Sequence, residues 1–374
     1  MNIFPPRQRF WQRLLATATL LLSVGTCHGV SCHSVSAQQG QSRLLVGSIG
    51  DRTVEGVELI GASNRQVILG NDGWLFDFDP RRQETRLTIA EGDFQPLDAH
   101  EFRRRLYEEF GNRFEVVPTQ HFLLVQPKGS GRVWAERFER LHRTFLSYFS
   151  VRGVRLLEGN FPMVAVIYPS QAEFQQRATG STASNREVLG VYDRASNRIT
   201  MYDHGQSAGG VDATICHEAA HQSAFNVGVH SRLADTPHWI VEGIGCIFQS
   251  PAMIEGRRSG DLQGRCDPNL LWLFRDRYQQ EPALLAADLD SLIADNTMFR
   301  SSDQVQHAYV ASWALTFYLA ERRAADFAKL IDRYSQRPPF QVYRPADRQA
   351  DLQQIVSTDL ELLARQITRF LDQF

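Results

Sequence analysis

Residues 215–228 read ICHEAAHQSAFNVG, which sets two histidines four positions apart, His217 and His221, with Glu218 directly after the first. In an α-helix, residues i and i+4 stand one turn apart on a single face, so both imidazoles can be aimed at one point. Glu218 is rotated by about 100° from His217 in such a helix and reaches past a shared ion rather than onto it. That is the position of a base acting on a water beside a metal. Hydrolytic zinc takes three protein donors and keeps a further position open, so the pair asks for a third donor elsewhere in the chain.

An extended histidine pattern would need Gly and His at positions 224 and 227, where the chain has Ala224 and Val227, and that class is excluded. Downstream, DTPHWIVEGIGCIFQS carries Glu242 in an apolar segment that begins near Pro237. A carboxylate on a second helix packed across the first gives a His, His, Glu site. Asp235, His230 and His238 lie close enough in sequence to be alternative donors, and His238 shares a helical face with Glu242. The apolar surroundings favour Glu242, because a buried carboxylate without a cationic partner is expensive. The same argument applies to His217 and His221: inside an otherwise apolar helix, ligation would supply the partners that burial demands.

The elements that must hold these groups follow from pattern. The chain has 374 residues, 43% hydrophobic and 22% charged, enough apolar material for a sizeable core. TVEGVELIG, RQVILG and GWLFDFD, separated by turn signals at 62–64 and 71–73, predict a small β-rich domain over 38–95, with 93–99 as a linker. From residue 96 the pattern is α+β. RFEVV and HFLLVQP suit a strand pair, 132–150 is an amphipathic helix, FPMVAVIYP is a buried strand, SQAEFQQRA opens a helix, and VLGVYDRASNRITMYD turns like a hairpin. A mixed or antiparallel sheet is expected there. After residue 210 only helices are predicted, over 211–226, 237–249, 268–278, 306–321, 324–335 and 357–373. In the fourth, Tyr309, Ser312 and Thr316 form a polar stripe on an apolar helix, which points at something polar.

The first 37 residues predict an export signal: Arg7, Arg9 and Arg13, then the apolar run LLATATLLLSV, then small residues ending at Ala37. The run is too short to span a bilayer, which needs about 20 residues, so no integral membrane segment is expected after processing. The formal net charge of -2 gives no footprint for nucleic acid. Beyond residue 37 the cysteines are Cys216, Cys246 and Cys266, an odd number, compatible with one bridge and a free thiol or with buried thiols throughout.

HEAAHQ followed after 20 residues by Glu242 in WIVEG resembles the gluzincin metallopeptidases, the group that includes thermolysin. Taken in order, GVYDRASNRITMYD, HEAAHQSAFNVG, DTPHWIVEGIG and YVASWALTFYL resemble a bacterial family of exported proteins of unknown function, DUF1570, over roughly residues 100–335. The resemblance implies a metallopeptidase domain over 96–374, one zinc ion on His217, His221 and Glu242, Glu218 as general base, and a peptide or protein substrate. It also implies a helix beside the zinc whose tyrosine donates to the oxyanion, for which Tyr309 is the candidate and His307 the weaker one. Two departures stand out. The gap is slightly longer than in the best-known gluzincins, and Cys246 occupies the position where thermolysin-like enzymes place an aspartate behind a zinc histidine, so the groups behind the ligands must differ here. Substrate is expected to add as a strand at 199–203. The rival expectation is a catalytically silent scaffold at the cell envelope, which would have no use for Glu218.

Overall fold

The computed structural model describes residues 43–177, 188–203, 209–255 and 261–374; the export signal predicted over 1–37 lies outside them. The protein is α+β, with two five-stranded sheets preceding most of the helices. The first sheet contains β1 (Leu44–Ile49), β2 (Arg52–Ala62), β3 (Arg65–Gly70), β4 (Leu75–Phe78) and β5 (Thr85–Ala90), antiparallel throughout in the order β4-β3-β2-β1-β5. Both predicted turns are where the composition put them. Ala62 pairs with Arg65 across a two-residue loop, and Gly73 turns the chain before β4 with a φ of 81°. Leu45, Ile49, Val54, Ile68 and Phe76 form this sheet's own small core. It is tied to the remainder by the Leu75 N–H donating to the Ala195 carbonyl at 2.8 Å and by the Arg232 guanidinium donating to the Gly73 carbonyl at 2.8 Å.

The second sheet comprises β6 (Phe114–Pro118), β7 (Phe122–Pro127), β8 (Met163–Tyr168), β9 (Gly190–Asp193) and β10 (Arg198–Tyr202), ordered β6-β7-β8-β10-β9. β8 runs parallel to both β7 and β10 while the outer pairs are antiparallel, so the sheet is mixed. Every residue of β8 is buried, which is why MVAVIY reads as an unbroken apolar run instead of alternating. Three helices accompany the strands: α1 (Ala99–Phe110), α2 (Val133–Ser150) and α3 (Gln171–Arg177). α2 connects β7 to β8 and turns Phe138, Leu141, Phe145 and Phe149 inward at helical spacing.

Eleven further helices follow among the described residues: α4 (Gly209–Asn226), α5 (His238–Ile247), α6 (Pro251–Ile254), α7 (Leu262–Arg265), α8 (Pro268–Tyr278), α9 (Pro282–Ala294), α10 (Thr297–Arg300), α11 (Val305–Arg322), α12 (Ala324–Ser335), α13 (Pro345–Val356) and α14 (Leu360–Leu371). α5 and α11 are buried nearly all round, as expected of helices at the centre of a core. They touch at Gly243, where a Cβ would collide with the Thr316 hydroxyl and stand 2.6 Å from the Ser312 carbonyl oxygen. No described helix is long and apolar enough to cross a membrane.

Candidate metal centre

α4 is fixed against the second sheet by its own polar side chains. The Gln222 amide donates to the carbonyls of Val164 on β8, at 3.0 Å, and Asn197 in the β9–β10 turn, at 2.9 Å. Ser223 Oγ lies 2.9 Å from Nδ1 of His142 on α2. Asn226 and Asn197 bond to each other through their side-chain amides. These contacts set the rotation of α4 so that His217 and His221 point away from the sheet and toward α5.

There the two imidazoles meet Glu242. Nε2 of His217 lies 3.2 Å from Glu242 Oε2 and 2.8 Å from Nε2 of His221, and Nε2 of His221 is 3.7 Å from the same carboxylate oxygen. His221 and Glu242 are fully buried and His217 is 3% exposed, so no bulk water satisfies this cluster. Two imidazoles and a carboxylate with lone pairs converging on one point suit a divalent ion of the zinc type. The three donors lie within 4.8 Å of one another, and among the described residues no other such group forms. Burial pushes the Glu242 carboxyl up, but the His221 and His217 imidazoles outweigh it and hold the group well below the usual range.

The alternative donors fall away on geometry. Asp235 accepts from the Tyr343 N–H and the Arg348 guanidinium, each at 3.1 Å. His230 is buried against the Phe225 ring and does not join the cluster. His238 does face Glu242, with Nε2 3.6 Å from Oε1, but stays outside the group of converging donors.

Glu218 stands beside the donors. Its Oε2 accepts the Tyr192 N–H of β9 at 2.7 Å, while Oε1 has no partner. Burial raises this carboxyl to about 7, against the opposing pull of His221. The Tyr309 hydroxyl faces the Glu242 charge, and its ring meets Phe299 edge-on at 5.6 Å. Burial, and after it the Glu242 charge, pushes that phenol far above its usual range. The remainder of the stripe does something else: Ser312 and Thr316 give α11 the small surface on which Gly243 rests, and neither hydroxyl has a partner. His307 has Arg277 and Asp288 as its charged neighbours, not the site.

One expectation changes and one open alternative is decided. β10 is an interior strand, paired to β8 and β9 along its two edges, so it has no free edge for an added strand; β9 is the edge. Cys216, Cys246 and Cys266 are all free and buried.

Three contributors escaped sequence reasoning. The first is the Tyr192 backbone, which leaves no side-chain signature. The second is Gln249, whose amide lies 2.7 Å from Nδ1 of His217. Its carbonyl oxygen is unpartnered. With the amide turned about its last torsion, that oxygen would accept an Nδ1–H and leave the Nε2 lone pair free for a ligand bond. Gln249 thus takes the place that Cys246 cannot fill. The third is Gly245, whose missing side chain makes room for the His217 ring.

The family model of a protein of unknown function, DUF1570, matches residues 211–341, from α4 to just beyond α12 and so across every donor of the site. No curated protein matches the chain.

Proposed function

We propose that the protein is an exported zinc-dependent peptidase, in which His217, His221 and Glu242 hold one ion and Glu218 is the general base. The observation that carries this reading is the pairing of a converging, buried three-donor set with a second buried carboxylate whose Oε1 is uncommitted. A fold retained only as a scaffold has no use for that second carboxylate. When bound, the ion supplies Lewis acidity and lowers the pKa of a coordinated water. Glu218 Oε1 takes a proton from the attacking water and hands it to the leaving nitrogen. The Tyr192 N–H anchors Oε2 and so aims Oε1. The Tyr309 hydroxyl donates to the oxyanion, and burial, then the Glu242 charge, keeps that phenol protonated. Export rests on the basic, apolar and small-residue succession of the first 37 residues.

Glu218→Gln tests this directly, since the amide fills the same space but cannot accept the proton at neutral pH. Against a mixed peptide library it should retain its metal and cut ~10²- to 10⁴-fold more slowly than wild type. A rate within a few-fold of wild type would remove Glu218 from the mechanism.

A further inference from the structure

Two residues beyond Tyr192, in the turn between β9 and β10, stands Arg194. Its guanidinium lies 5.9 Å from the ring centroid of Phe225, which is one helical turn past His221 on α4. The Tyr192 ring stacks on the same phenylalanine at 5.7 Å, and the Tyr192 N–H is the group that holds Glu218. Arg194 is thereby linked to the base through two shared residues, Phe225 and Tyr192.

The turn that carries it is rigid. Asp193 accepts the N–H groups of Ala195 and Ser196 at 3.0 Å each, and the Arg232 guanidinium donates to the carbonyls of Arg194, at 2.9 Å, and Ala195, at 2.8 Å. Every charged neighbour is already engaged: Asp193 in the turn, Asp235 with Arg348, Arg232 with three carbonyls. Arg194 alone has no carboxylate in ion-pair range and donates no hydrogen bond among the described residues. It is half-buried, yet none of its nitrogens is sealed from solvent. Burial works against its charge, with Tyr192, Asp235 and Asp193 acting the other way. A planar five-donor cation kept partly desolvated, uncommitted and on a fixed turn is preorganised for an anion, and its fork matches a carboxylate.

We propose that Arg194 binds a carboxylate of the substrate and makes the protein selective for peptides bearing one near the scissile bond. The inference rests on the peptidase reading for what is cut, but not for what is bound. Two residues of chain reach at most about 7 Å, which puts the anion one or two residues from the bond that Glu218 addresses. A C-terminal carboxylate and an acidic side chain present the same chemistry, and paired ligands separate them.

The test is calorimetric binding to the zinc-loaded full chain. One pair is N-acetyl-alanyl-alanine and its C-terminal amide; the other is N-acetyl-alanyl-glutamic acid amide and N-acetyl-alanyl-glutamine amide. In at least one pair the carboxylate should bind about tenfold or more tightly than its amide, and the responding pair identifies the source. Arg194→Gln should abolish that preference with its metal content unchanged, and Arg194→Lys should retain part of it. A purely structural arginine packed on Phe225 would not discriminate acid from amide. Equal binding within both pairs, or a preference that survives Arg194→Gln, overturns the proposal. Incubating longer peptides of the same two kinds with the enzyme keeps the two readings apart. Carboxylate-selective binding without cleavage removes the peptidase and leaves the anion site, whereas cleavage without carboxylate preference does the reverse.

Discussion

The His217 imidazole lies directly on Gly245: a Cβ built on that glycine would stand 2.5 Å from Cε1 and 2.7 Å from both Nδ1 and Nε2. Gly245 is on α5 three residues after Glu242, so the helix that brings the carboxylate also provides the seat for the histidine it faces. One side of that ring is fixed by an absence of side chain, and Nδ1 is fixed by Gln249.

Gly245→Ala is therefore expected to push the ring off its seat while leaving the helix, for which alanine is the better former, intact. Metal affinity should fall by ~10- to 100-fold, the range seen when groups supporting a ligand are disturbed. Competition against a chromogenic chelator reads this, with far-ultraviolet circular dichroism confirming the fold. Wild-type affinity in a folded Gly245→Ala protein would show that the seat does not matter.

Gln249 separates orientation from bulk. Gln249→Leu should weaken metal binding by ~10- to 100-fold because nothing then accepts the Nδ1–H, whereas Gln249→Glu, which still accepts it, should hold the metal at least as well as wild type. If leucine and glutamate behave alike in the chelator competition, the contact to His217 is incidental.

Two buried histidines predict acid sensitivity. Burial first, and then the neighbouring His121, lowers His142 to about 4; burial first, and then His221, lowers His230 to about 3. Both folded-state values lie below the unfolded value of about 6.5, so the unfolded chain binds more protons in that window. The associated stability is complete above pH ~6.5 and drains away as pH falls toward 4. Each histidine should cost on the order of 2 kcal/mol between pH 6.5 and 5. Urea midpoints at the two pH values measure it, and His142→Gln should show a visibly shallower decline than wild type. An unchanged decline would mean that His142 takes no part in it.

Much of this was legible in the sequence, for identifiable reasons. His217, Glu218 and His221 show themselves because a helix turns i and i+4 into neighbours, and Glu242 because a carboxylate amid WIVEGIGCIF has no cheap reason to be there. The boundaries of α8 and α12 agree with their apolar spacing. α9 went unread although Leu285, Leu289, Leu292 and Ile293 recur at helical intervals, since it opens on a proline at its first position and has no side-chain cap. α13 likewise opens on a proline, Pro345, and has no side-chain cap. The groups that support the ligands were beyond reach for a different reason. A backbone N–H has no letter, a glycine's role lies in what it leaves out, and Gln249 meets His217 only once two helices are packed. Glu242, in contrast, could be chosen over Asp235 by burial alone, and the Arg348–Asp235 pair agrees with that choice.

The most direct test of the account is the metal-to-protein ratio of the purified full-length chain, measured by inductively coupled plasma mass spectrometry for wild type and Glu242→Ala. Removing one of three protein donors leaves an incomplete site. About one zinc is expected per wild-type chain and essentially none in the variant, whose cluster has lost the only carboxylate among the described residues that meets both imidazoles. A wild-type chain that holds no metal after equilibration with zinc, or a Glu242→Ala chain that holds a full equivalent, would contradict it.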